Sequence, residues 1–140
     1  MNYGRIALAA LAATFVYYLY GFLVEGLLIR KDFAPYAVVY RSADRVMGYM
    51  PLGFACSLIA IFVVAIMYAK GSAGGLGFTQ SVQFGLMVGI FVMCAFVGAN
   101  YVILNIGGRL ALELAVSALV QWMIVCVVIG LIYKPAATVH

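Results

Sequence analysis

Two glutamates, two asparagines and a glutamine are the residues of this chain placed to bind or exchange something. Each falls within, or at the rim of, a long hydrophobic segment. Glu25 lies five residues before Arg30, and Glu113 lies four residues after Arg109. On helices crossing the same boundary, both carboxyls would then sit about 6–8 Å inside it, at 1.5 Å of rise per residue. Asn100 and Asn105 approach that level from a third segment, and Gln121 continues the face of Glu113 inward. Carboxyls at such depth mark ion and proton pathways or ligand sites. They can equally pair at home: Arg109 with Glu113 across one helical turn, and Glu25 with Arg30 or Arg109. The candidate polar cluster is therefore Glu25, Arg30, Asn100, Asn105, Arg109, Glu113 and Gln121. Tyr17, Tyr18, Tyr20 and Trp122 are the aromatics that could face a ligand beside it.

Other chemistries are excluded by what the chain lacks. Its one histidine is His140, so no His pair can hold haem and no His, Cys and carboxylate set has metal spacing. No Ser or Cys has a histidine base, and there is neither a GxGxxG after a strand nor a P-loop. No catalytic residue, metal or cofactor is expected, and the chain does not read as an enzyme. Cys56, Cys94 and Cys126 lie inside apolar segments without CxxC spacing, as packing cysteines do. The net charge of +4 comes from basic residues at segment ends, with no basic stripe to follow phosphates, so nucleic acid is not a partner.

The elements that must position these residues follow from composition. The chain is 68% hydrophobic and 9% charged, with a mean hydropathy of +1.18. Soluble domains are about half apolar and about a quarter charged. Too little polar surface exists to coat a water-facing globule, so the expected solvent is a lipid bilayer. One domain, 1–140, should hold four spans at about 6–29, 51–69, 81–103 and 110–133. Backbone groups left unpaired in lipid cost several kcal/mol each, so the spans should be helices. The fold class is all-α, a four-helix transmembrane bundle with both termini on one side. Arg5 followed by Ile6–Ala13 looks like the start of a signal peptide. The apolar run continues to Ile29, however, and a retained first span is expected.

Gly71–Gly77 is a Gly-rich turn, and Asn105-Ile106-Gly107-Gly108 a tight one. The first connection, from Arg30 to Met50, is long. Within it, Ser42–Tyr49 is expected to form a short amphipathic helix at the interface, with Tyr36, Tyr40 and Tyr49 at headgroup level. Pro51 would open the second span. Let side A carry the termini and the Gly-rich turn, and side B the first connection and the tight turn. Side B holds Arg30, Lys31, Arg41, Arg45 and Arg109 against Arg5, Lys70 and Lys134, which favours a cytoplasmic side B.

Helical spacing places Thr14, Tyr17 or Tyr18, Gly21 and Glu25 on one face of the first span. Gly85, Gly89, Phe96 and Asn100 share a face of the third, and Glu113, Ser117 and Gln121 one of the fourth. Gly53, Ser57 and Ala60 do the same on the second. Small residues should pack the bundle toward side A and leave a polar pocket toward side B. Ile61–Lys70 and Val125–Lys134 end alike, as two duplicated helical hairpins would.

In Tyr17-Tyr18-x-Tyr20-Gly21 to Lys31-Asp32, Phe84-Gly85-Leu86, Asn100-Tyr101 and Ile132-Tyr133, the chain resembles the small four-helix bacterial membrane proteins grouped as a domain of unknown function. The resemblance implies an architecture in a bacterial inner membrane and no particular activity. Three readings compete. One is a small structural or accessory subunit that packs against other membrane subunits or itself. A second is an oligomeric transporter or channel with a polar path through Glu25, Asn100 and Glu113. The third is a binder of a lipophilic ligand such as a quinone or lipid.

Overall fold

A computed structural model of the chain describes residues 2–71 and 78–133. Among these residues there is no strand, and four helices are long and apolar enough to cross a membrane. They are Tyr3–Leu28, Asp44–Gly71, Phe78–Ile103 and Gly108–Ile132, called the first to fourth spans below. The protein is a multi-pass membrane protein built as an all-α four-helix bundle. The Gly-rich turn at 72–77, and Lys134 and Pro135, lie outside the described residues.

The first span opens on Asn2, whose side chain accepts a hydrogen bond from the Arg5 amide at 3.2 Å, the arrangement that satisfies an otherwise orphaned first-turn N–H. Its next turns present Ile6, Ala9, Ala10 and Ala13, all fully buried. These small residues admit the second and fourth spans at close range. Ile61, Ala65 and Tyr68 of the second span and Val125, Ile129 and Tyr133 at the end of the fourth complete the core at side A. All four spans converge there, because the Tyr68 hydroxyl is 2.7 Å from Ser81 Oγ and its ring meets Phe84 edge-on.

Toward side B the spans part. The fourth span remains packed between the first and third, while the second leaves the bundle. A smaller core of Ile29, Ile106 and Leu110 closes side B, flanked by Phe33, Tyr36 and Tyr40 of the first connection. The arrangement is not two-fold symmetric. Duplicated hairpins would map the broad seam between the first and fourth spans onto an equal one between the third and second, whose contact among the described residues is slight and includes the Tyr68 pairings.

Two local features differ from the expectation. The helix expected at Ser42–Tyr49 begins at Ala43 and is not separate: one helix runs from Ala43 to Gly71 with Pro51 inside it. The apolar run after Tyr49 is continuous with that amphipathic turn, so propagation costs less than a second nucleation. Short helical turns do occupy the first connection, at Arg30–Phe33 and Ala34–Tyr36. The other difference is a pair of π-turns, Val24–Leu28 and Met93–Gly98. Each admits an extra residue and turns whatever follows by about 100° from an uninterrupted α-helix.

Candidate functional site

Between the two cores, the seam of the first and fourth spans carries the polar side chains. The Gln121 amide, 6% exposed, donates from Nε2 to the Tyr17 carbonyl at 2.9 Å. Gly21 lies against it, and a Cβ there would come into ordinary contact with that nitrogen, at 3.6 Å. Tyr17 meets both Tyr18 and Trp122 edge-to-face, at 5.5 and 5.9 Å between centroids. Tyr18 reaches the second span instead, donating to Ser57 Oγ at 3.2 Å and stacking on Phe54. These contacts make Tyr17, Tyr18 and Trp122 a packed aromatic brace. Tyr20 stands apart, on the groove described next.

One turn nearer side B the seam opens into a groove of about 340 Å³. Tyr20, Val24 and Ile29 form one wall, and Leu112, Glu113, Val116 and Ser117 the other. Arg109 lies at its mouth, bonded through Nε to Glu113 Oε1 at 3.0 Å and through a terminal nitrogen to Asp32 Oδ1 at 3.4 Å. With 79% of its side chain exposed, Arg109 holds both pairs in water-like surroundings, where screening leaves them weak. Glu113 Oε2 and Ser117 Oγ are both buried without a hydrogen-bond partner. The Glu25 carboxyl, half-buried in the first π-turn, lies beside the Ser117 hydroxyl.

The structure therefore brings Glu25, Arg109, Glu113 and Gln121 to one seam. Arg30 is exposed, and among the described residues Glu25 forms an ion pair with neither Arg30 nor Arg109. Asn100 and Asn105 are also exposed and share no side-chain hydrogen bond with the other four. The second π-turn explains Asn100: Gly85 and Gly89 before it are buried, and Phe96 and Asn100 beyond the point where the register shifts are not. Gly53 and Ala60 likewise stand exposed on the departing second span. Asp32, Ser117 and Tyr40 are the participants that the sequence reading left out of the cluster. Asp32 follows the bend at Ile29, whose direction no spacing rule supplies. Ser117 was visible at four residues from Glu113 and from Gln121.

Tyr40 stands in the first connection, its ring 5.1 Å from that of Phe33. Burial pushes its phenol above the usual value, and the Glu25 carboxylate raises it further. A raised phenol favours folding while neutral. That contribution is complete below about pH 10 and is lost as pH rises through the folded value. Glu25→Gln removes the smaller of the two causes. Alkaline ultraviolet titration should show Tyr40 ionising at lower pH in that variant, though still above an exposed tyrosine. An unchanged midpoint would place the Glu25 carboxyl elsewhere.

Among the described residues, no three His, Cys, Asp or Glu side chains come close enough to hold a metal ion. No protein-family model, curated protein or solved structure matches the chain. The functional reading therefore rests on the geometry alone.

Proposed function

We propose that the protein is a small accessory subunit of a membrane-protein complex, seated in a bacterial inner membrane by its four helical spans. One observation carries this reading: residues 44–56 of the second span are exposed on every face. A Cβ on Gly48 would meet nothing within 4 Å, and one on Gly53 only the Tyr18 hydroxyl, at 3.8 Å. Lipid can cover such a half-span, but it gains nothing from small residues. A neighbouring helix does, because small residues let two backbones approach. The second half of the third span, though packed on the fourth, also presents small residues outward, with Ala95, Gly98 and Ala99 exposed. A half-span that leaves its bundle toward side B, and a second with exposed small residues, suit a protein whose packing is completed by another chain.

Cross-linking in the native membrane, followed by purification in mild detergent, tests this. The expected product is a stoichiometric assembly with a second integral membrane protein or with further copies of this chain. Gly48→Leu and Cys56→Trp both enlarge the uncovered face, and each should weaken the assembly about tenfold or more. The chain's own unfolding should shift by less than about 0.5 kcal/mol, as at surface sites generally. A monomer recovered after efficient cross-linking, with nothing attached, overturns the proposal.

A further inference from the structure

The first connection carries positive charge that the fold does not neutralise. Arg30, Lys31, Arg41 and Arg45 are all exposed, and none forms an ion pair among the described residues. Of the two carboxylates among them, Asp32 is committed to Arg109. The Arg41 guanidinium lies 3.9 Å from the centroid of the Tyr49 ring. Stacking of this kind uses the face of the guanidinium and leaves the N–H groups at its edge free to donate. Tyr49 lies four residues after Arg45 and shares its helical face. The ring thus brings Arg41 to the flank of the helix that carries Arg45. The other carboxylate, Asp44, is five residues from Tyr49 and stands about 140° from it around the helix.

Position decides which anion these groups meet. Arg30 follows the end of the first span almost directly, and Arg45 stands one to two turns before the apolar run of the second. Lipid phosphates lie at that level. Apolar side chains are interleaved with the cations: Val38 is fully exposed, and Val39 and Tyr49 are exposed as well. An acidic protein segment approaching through water would meet the cations and leave Val38 unburied. A bilayer surface takes both, the apolar groups at the acyl boundary and the cations at the headgroups. The connection is also held in place, by the Phe33–Tyr40 ring contact and by the core at Ile29, Ile106 and Leu110. Its cations are therefore presented by a fixed platform, which lowers the ordering cost of binding. A zwitterionic lipid offers a phosphate too, but its own ammonium offsets the charge.

We propose that the first connection is a binding surface for anionic phospholipid. Arg41 and Arg45 take the headgroup phosphate beside Tyr49, Arg30 and Lys31 add to the attraction, and Val38 and Val39 enter the acyl boundary. This requires no partner chain at the second span and stands apart from the accessory role.

Thermal unfolding of the purified full chain in a neutral maltoside detergent, titrated with dioleoyl phosphatidylglycerol, is the test. This lipid should raise the unfolding temperature saturably by several degrees, and dioleoyl phosphatidylcholine should raise it much less. The protection should shrink as salt is added, because exposed charges are screened. Arg41→Gln and Arg45→Gln together should weaken phosphatidylglycerol binding about tenfold or more. Lys70→Gln removes a charge at the opposite end of the second span and should bind the lipid as wild type does. The proposal fails if phosphatidylcholine protects equally, if the double variant keeps full affinity, or if Lys70→Gln loses as much as the double variant. It also fails if glycerol phosphate, which has no acyl chain, protects as well at the same concentration. Should the double variant not fold, the wild-type comparison of the two lipids decides by itself.

Discussion

Valine at both Gly85 and Gly89 is expected to detach the third span from the fourth, costing about 3–5 kcal/mol in a detergent unfolding titration. The geometry leaves no room for relaxation. A Cβ on Gly85 would stand 2.9 Å from the Met123 Cα and 3.1 Å from its carbonyl oxygen. On Gly89 it would stand 2.9 Å from the Leu119 carbonyl oxygen and 3.3 Å from the Leu119 Cα. These are backbone atoms of a helix, which cannot swing aside as a side chain can. The spans must separate, and in lipid no hydrophobic force draws them back, because acyl chains cover apolar faces equally well. What is lost is close packing, which holds this seam. Gly98→Val is the control: its Cβ would lie 3.7 Å from the Met93 carbonyl, and the position is exposed. It should cost under about 1 kcal/mol. Equal costs at the three positions would show that the seam is not held by backbone approach at Gly85 and Gly89.

That seam was legible in the sequence, since glycines four residues apart in an apolar segment admit another helix. The four spans were legible for a stronger reason: lipid forbids unpaired backbone, so apolar length alone dictates helix. The face of each span was legible only while its helix stayed regular. Gly85 and Gly89 fall where the spacing puts them, and Asn100 does not, because the π-turn at Met93–Gly98 shifts the register between them. Nothing in Met93-Cys94-Ala95-Phe96-Val97-Gly98 announces a π-turn. Such turns arise from packing and local hydrogen bonding, not from residue type.

The candidate site divides in the same way. Glu113, Ser117 and Gln121 lie on a regular stretch of the fourth span, and the reading that put them on one buried face agrees with their burial. The Arg109–Glu113 pair is a one-turn relation and needs no tertiary knowledge. Glu25 reached the seam through the first π-turn, where Ile29 N–H bonds to the Val24 carbonyl five residues back at 2.9 Å. Its nearness to Tyr40 follows from how the chain bends after that turn. The departure of the second span was invisible for another reason. A span exposed on one side and a span exposed on every side have the same hydropathy, because lipid and protein interior make the same demand of a side chain.

The convergence of the four spans at side A gives the other large effect. Gly130 on the fourth span faces the Tyr68–Ser81 pair that ties the second span to the third. A Cβ there would overlap Ser81 Oγ and come within 2.8 Å of both Ser81 Cβ and the Tyr68 hydroxyl. Gly130→Ala should therefore cost about 2–3 kcal/mol, despite alanine's better helix propensity, which returns at most about 1 kcal/mol. Here the obstacles are side-chain atoms, unlike the backbone met at Gly89: a second substitution removes those of Ser81, and the Tyr68 hydroxyl, at the end of a longer side chain and released from Ser81, can shift. Ser81→Gly alone gives up the 2.7 Å bond to Tyr68 and weakens its own helix, for about 1–2 kcal/mol. Together the two changes move a methyl-sized volume from one side of the contact to the other. The double variant should be more stable than the sum of the single costs by at least about 1 kcal/mol, within the coupling seen for residues in contact. Additive costs would mean that Gly130 and Ser81 do not touch, and that the spans meet at side A in another register.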